Sequence, residues 1–94
     1  MSADVSEVLR LDGALTMATV GAHVEAGRAK AASGDLIVDL SAVGEADSAA
    51  LALLFDWMRA TRDGKHTLTV TGLPAELRSL AALYGVDELL PAES

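Results

Sequence analysis

The chain has 94 residues, no cysteine and a formal charge of −7. A chain of this length makes one domain spanning residues 1–94, and the missing cysteines exclude a disulfide framework, a thiolate metal site and a cysteine nucleophile. An acidic balance without a basic run argues against nucleic acid or an anionic membrane as a direct partner. In chain order, Glu7-Val8-Leu9-Arg10-Leu11 alternates as a half-buried or edge strand. Asp12-Gly13 supplies a turn, and Ala14-Leu15-Thr16 reads as a short second strand. From about Ala18 to Ala32 the pattern is helical, with Val20, His23, Val24 and Gly27 at i, i+3, i+4 and i+7 and Gly34 as its left-handed stop. Gly21 and Gly27 weaken that helix, and close packing onto a sheet is the expected reason for them.

Leu36-Ile37-Val38-Asp39-Leu40 is a continuous apolar run with one carboxylate, read as a central strand covered on both faces. After a loop from Ser41 to Ala46, the strongest helix runs from Asp47 or Ser48 to about Arg62, and Asp63-Gly64 stops it. His66 to Val70 alternates as another strand. Leu73-Pro74 opens a third helix whose inner face is Leu77, Leu80, Ala81 and Tyr84, with Gly85 closing it and Val86 to Leu90 as a short apolar tail. The order β, β, α, β, α, β, α predicts an α/β domain, a parallel or mixed sheet of about four strands with helices packed against it. The N-terminus lacks the basic and apolar regions of a signal peptide, and no apolar stretch approaches the ~20 residues that span a bilayer, so a soluble cytoplasmic product without direct membrane insertion is expected.

Asp47 and Ser48 stand where a buried strand and short loop give way to a helix. The free N–H groups and partial positive charge at a helix start suit a capping oxygen, and equally a phosphate on Ser48. The stretch from Leu36 to Leu51, with Asp39-Leu40-Ser41, a short loop and then Asp47-Ser48 followed by small residues, resembles the signature of STAS domains. The likeness extends over nearly the whole chain through the element order and implies a STAS-type mixed sheet. In the family's anti-sigma factor antagonists the motif serine is phosphorylated by a partner kinase, and that position falls on Ser48. Ala49 and Ala50 depart from the Ser/Thr and Gly usual in antagonists and stiffen the acceptor site.

Gly72-Leu73-Pro74 and the segment from Leu80 to Pro91 are similar to the end of MlaB-type proteins, the small STAS subunits of the ABC system that maintains outer-membrane lipid asymmetry. That resemblance implies a non-catalytic cytoplasmic subunit, peripheral to the inner membrane through its complex. It would bind the transporter's ATPase, with Ser48 at the contact. The alternative it implies is an anti-sigma factor antagonist facing a kinase. No cofactor is implied, and without Gly-x-x-x-x-Gly-Lys the chain is not itself the ATPase.

The helix after Ser48 carries more apolar surface than one sheet requires. Ala52, Asp56, Arg59 and Asp63 share a polar face, while Leu51, Leu54, Phe55 and Met58 form one apolar side and Ala49, Leu53, Trp57 and Ala60 another. Together they sweep roughly 240°, where one core contact needs about 100° or somewhat more. Two readings follow. The edge of Ala49, Leu53 and Trp57 is exposed and meets a partner, with Trp57 as anchor, or it packs on a neighbouring helix. The partner-binding set is thus Asp47, Ser48, Ala49, Leu53 and Trp57. His23 and His66 lie in different elements, so no zinc site is expected. Asp39 and Asp47 could approach near the end of the sheet to hold Mg²⁺ or act as acid and base, or could bond backbone N–H groups instead. Arg59 and Arg62, one helical step apart, read as a solvated edge or a contact for an acidic partner.

Overall fold

A computed structural model describes residues 7–85 and 92–93. In order these form β1 (Glu7–Leu15), one 3-10 turn (Val20–Ala22), α1 (Val24–Ser33), β2 (Leu36–Ala46), α2 (Ser48–Asp63), β3 (Leu68–Thr71), α3 (Ala75–Leu83) and the two-residue β4 (Ala92–Glu93). The strands pair in the order β1-β2-β3-β4 and every pairing is parallel. The expected α/β architecture is therefore present: the element order predicts a parallel or mixed sheet, and among the described residues the strands pair in parallel. The N-terminal strand differs from the sequence reading. No turn forms at Asp12-Gly13. Gly13 takes φ +73 inside a continuous β1, where the register slips against β2. The extra residues at both slips lie on β2, between Asp39 and Ala42 and between Val43 and Glu45, so β2 bulges while β1 runs on through the left-handed glycine. The two strands expected at the N-terminus thus become one.

Sequential strand order and right-handed crossovers place every helix on the same face of the sheet. Accordingly α2 contacts α1 on one side and α3 on the other. Leu36, Val38 and Leu40 of β2 and Leu68 and Val70 of β3 are buried, while Ile37, Asp39, Thr69 and Thr71 are half-buried. So β2 is central, as its apolar run predicts, but only one of its faces is fully covered.

The middle helix meets three surroundings. Leu51 and Leu54 belong to the buried core with the strand residues. On the α1 side Leu53 is buried and Trp57 is 0% exposed, its indole Nε1–H donating to the Val24 carbonyl at 3.1 Å. The ring occupies the space over Gly27, where a Cβ would stand 2.0 Å from Trp57 Cε2. This corrects two expectations. Trp57 is not an exposed anchor, and Gly27 serves helix-on-helix packing, not packing onto the sheet. The third side, Phe55 and Met58, is half-buried.

Other boundaries follow from local bonding. Residues 16–19 form a tight turn, not the start of a helix. The Thr16 carbonyl accepts from Thr19 and Val20 N–H, and the Thr19 hydroxyl accepts from Thr16 N–H and donates to the Ala14 carbonyl. Gly34 is extended (φ 174), so α1 ends without the left-handed glycine the sequence predicts. At the end of α2 the left-handed residue is Lys65 (φ 64), not Gly64. His66 N–H bonds the Thr61 carbonyl and Lys65 N–H the Arg62 carbonyl, the two bonds of a Schellman stop. At Gly64 space is tight, since a Cβ would stand 3.0 Å from His66 Cδ2 and 3.3 Å from the Ala32 carbonyl. Pro74 caps α3, Leu77 and Ala81 face inward, and Tyr84 sits past the helix at 56% exposure instead of on its inner face. Gly85 takes the left-handed conformation predicted for it. The tail from Val86 to Leu90 lies outside the described residues. Among those described, no helix is long and apolar enough to cross a membrane.

Two glycines separate packing from propensity. Gly27→Ala forces Trp57 out of place and should cost about 1–3 kcal/mol in urea unfolding, with a red-shifted tryptophan emission. Gly21 has no atom within 4 Å of its would-be Cβ, so Gly21→Ala should be neutral or stabilise by up to about 1 kcal/mol. Equal effects at the two positions would contradict this account of the α1–α2 contact.

Candidate interaction site at the start of helix α2

Strand β2 ends at Ala46, and the next residue turns the chain into α2. Asp47 is extended (φ −131, ψ −168) and is the N-cap, with Oδ1 accepting from Ala49 N–H at 2.8 Å. Its other oxygen, Oδ2, accepts from Met17 N–H at 3.2 Å, and its own N–H bonds the Leu15 carbonyl. One half-buried carboxylate thus caps the helix and fastens the β1–α1 turn beside it. The capping role belongs to Asp47, which leaves the Ser48 hydroxyl free of that task. Ser48 is exposed in the first turn of α2, within the reach of the free N–H groups and the positive end of the helix dipole.

The neighbourhood of Ser48 is apolar. Met17, held by Asp47, is 78% exposed. A cleft of about 250 Å³ runs between α1 and α2, with Val20 and Val24 on one wall and Ala49, Ala52 and Leu53 on the other. The Arg28–Asp56 ion pair (2.9 Å) also lines it, and this carboxylate pushes the Arg28 guanidinium pKa up. A larger cleft, about 490 Å³, lies on the α3 side, where Ala46, Ala75, Leu80 and Leu83 are among its lining residues and Leu83 is 75% exposed. Of the residues expected at an interface, Asp47, Ser48 and Ala49 sit together at this helix start. Leu53 contributes from the floor of the smaller cleft, and Trp57 lies beneath the surface. Met17 escaped the sequence reading because nothing in a lone methionine reports exposure; only the link from Asp47 fixes it there.

Asp39 and Asp47 are not brought together. Asp39 is in mid-strand and Asp47 past the strand's end, about 20 Å or more apart at strand rise. Asp39 Oδ1 accepts from Ser41 N–H at 3.0 Å, and Oδ2 pairs with Arg10 Nε at 3.2 Å. The amide and then the side chain of Ser41, and after them Arg10, hold its carboxyl below the usual carboxylate range. His66 lies 3.9 Å from Asp35, and His23 precedes α1. Among the described residues no group of three His, Cys, Asp or Glu side chains could hold a metal ion.

The domain is a one-faced parallel α/β fold whose accessible serine opens the central helix, with small and apolar residues around it. The comparison with protein families gives this fold its name. A family model described as "Mlab, STAS domain" matches residues 2–91, and the chain belongs to this family. STAS domains are generally non-catalytic and mediate protein–protein interactions. A comparison with curated proteins finds no match.

Two measurements probe this geometry. Asp47→Ala should cost about 1 kcal/mol and should lower hydrogen-exchange protection at Ala49 and Met17 together. Asp47→Asn, with one acceptor oxygen, should keep protection at one of them only; unchanged protection at both would remove the clip from the account. For Asp39, whose folded pKa is depressed, the stabilising contribution is full above its unfolded pKa of about 3.9 and is lost as pH falls through the lower folded value. Carbon-detected NMR should find its midpoint below the ordinary aspartate value of about 3.9, and Ser41→Pro, which removes the amide donor, should raise it.

Proposed function

We propose that this protein is a non-catalytic cytoplasmic subunit that docks on the ATPase of a phospholipid-transport ABC complex, one that maintains outer-membrane lipid asymmetry, and supports the complex's assembly or activity. The observation that carries the reading is the exposed start of α2, where Ser48, Ala49 and the Asp47-held Met17 make a small, mostly apolar platform beside an open cleft. The MlaB description of the matching family favours the transporter branch. Ser48 is small enough to let a partner's backbone approach the free N–H groups of the first turn, and Met17 adapts to whatever side chain meets it. The domain would then sit at the inner membrane through its partner, without touching lipid.

A second reading has one specific observation behind it. Because Asp47 does the capping, the Ser48 hydroxyl is exposed and unencumbered, which is what a kinase needs. A phosphate there would add close to two negative charges beside the Asp47 carboxylate, altering the docking platform directly. The small residues Ala49 and Ala50 place this reading second.

Co-purification with the cognate ATPase should be lost in Ser48→Arg, which plants a long charged side chain on the platform, and retained in Ser48→Thr. Intact-mass spectra of the protein isolated from its own cells should show no phosphate. Binding that survives Ser48→Arg would remove α2's start from the interface, and a stoichiometric phosphate at Ser48 would promote the antagonist reading.

A further inference from the structure

The surplus apolar surface of α2 is only partly used. The Leu53/Trp57 flank is taken by α1 and the Leu51/Leu54 side lies in the core. What remains is the opposite flank. Phe55, Met58, Arg59 and Arg62 fall at i, i+3, i+4 and i+7, one stripe of the helix, and line a cleft of about 270 Å³. Phe55 and Met58 are half-buried, and both arginines are exposed. Arg62 also lines an adjoining cleft with His66 and Thr67.

Charge picks this stripe out. Three of the chain's seven Lys and Arg residues, Arg59, Arg62 and Lys65, fall within one short stretch of an otherwise acidic protein. Arg10, Arg28 and Lys30 are spent on Asp39, Asp56 and Glu7. Arg59 and Arg62 have no acidic partner among the described residues. The site is also remote from Ser48, about 20 Å along the helix axis from Ser48 to Arg62.

We infer that this stripe is a second docking surface, distinct from the Ser48 platform, and that its occupant is an acidic amphipathic segment of another protein. Leucine-sized side chains would lie on Phe55 and Met58 while glutamates or aspartates one helical turn apart meet Arg59 and Arg62. Guanidinium groups hold carboxylates in paired hydrogen bonds, which gives the contact its selectivity. A protein segment fits better than an anionic membrane. The apolar residues are recessed in a cleft instead of protruding, and the net charge of −7 repels an anionic surface as a whole. With Ser48 at one end of α2 and this stripe toward the other, the domain becomes a two-sided connector.

The test is a titration of the ¹⁵N-labelled full chain with two synthetic peptides, acetyl-Leu-Glu-Glu-Leu-Leu-Glu-Glu-Leu-amide and the same sequence with lysine in place of glutamate. The acidic peptide should shift amides from Phe55 to Lys65 and the lysine peptide should not. Arg59→Glu/Arg62→Glu should weaken the acidic peptide about tenfold or more, and Arg59→Gln/Arg62→Gln by less. Both variants change exposed side chains, and their unperturbed spectra elsewhere would show an intact fold. Ser48→Arg should leave peptide binding as it is, so this result stands apart from the ATPase contact. Shifts elsewhere on the chain, indifference to charge reversal, or equal binding of the lysine peptide would overturn the inference. So would sedimentation with phosphatidylglycerol vesicles, abolished by the double charge reversal, in the absence of peptide binding.

Discussion

Trp57 standing in the gap left by the missing side chain of Gly27 is the contact on which the arrangement of this domain rests. The indole fills a space that any Cβ on α1 would occupy, and its one polar atom is satisfied by the Val24 carbonyl. A tryptophan buried this completely is worth about 3–5 kcal/mol against truncation, a large part of the stability of any small domain. The contact sets how closely α1 approaches α2. Through that approach it sets the position of the 3-10 turn, the width of the cleft beside Ser48, and the reach of Arg28 to Asp56. Few aromatic residues are available to this chain, and the only tryptophan is committed to joining two helices.

The sheet imposes the second constraint. Four parallel strands in sequence order send every crossover the same way, so three helices crowd onto one face and the middle one has neighbours on both flanks. Helix α2 must therefore be apolar around most of its circumference, and its two ends, its polar face and the half-buried Phe55/Met58 stripe are what remain for recognition. Its first turn is shaped by Asp47, whose two oxygens tie the helix start to the turn bearing Met17. A single carboxylate thus holds together three features of the platform: a capped helix, a free serine and an exposed methionine. Toward the far end, Arg59 and Arg62 join Phe55 and Met58 around a cleft, and the surface changes from small and apolar to basic and grooved.

Much of this was legible in the residues. The apolar run from Leu36 to Leu40 marked the central strand, the alternation from His66 to Val70 marked β3, and the helical pattern after Ala18 marked α1, which begins later, at Val24. Asp47-Ser48 following a buried strand marked the start of α2, and with the element order it led to the STAS family. Other features were hidden because their signals are degenerate. Asp-Gly turns a hairpin or lies within a continuous strand, and only the pairing of β1 with β2 decides which. Lys65 occupies a left-handed position that a glycine beside it seems to claim. The Leu53/Trp57 edge looks the same in sequence whether a partner or α1 covers it.

The sequence by itself determined the α/β class, the position of the central helix, a capping oxygen from Asp47 or Ser48 at its start and an apolar surplus too large for one sheet. These are local properties, set by periodicity, propensity and hydrogen bonding within a few residues. Where that surplus is spent was decided only by the tertiary structure, because burial depends on which element packs across from a side chain. Gly27 and Trp57 are 30 residues apart, and nothing in either neighbourhood announces that they meet. Once they do, the tryptophan edge is closed, the Phe55/Met58 flank is left open, and Ser48 stands clear at the helix start.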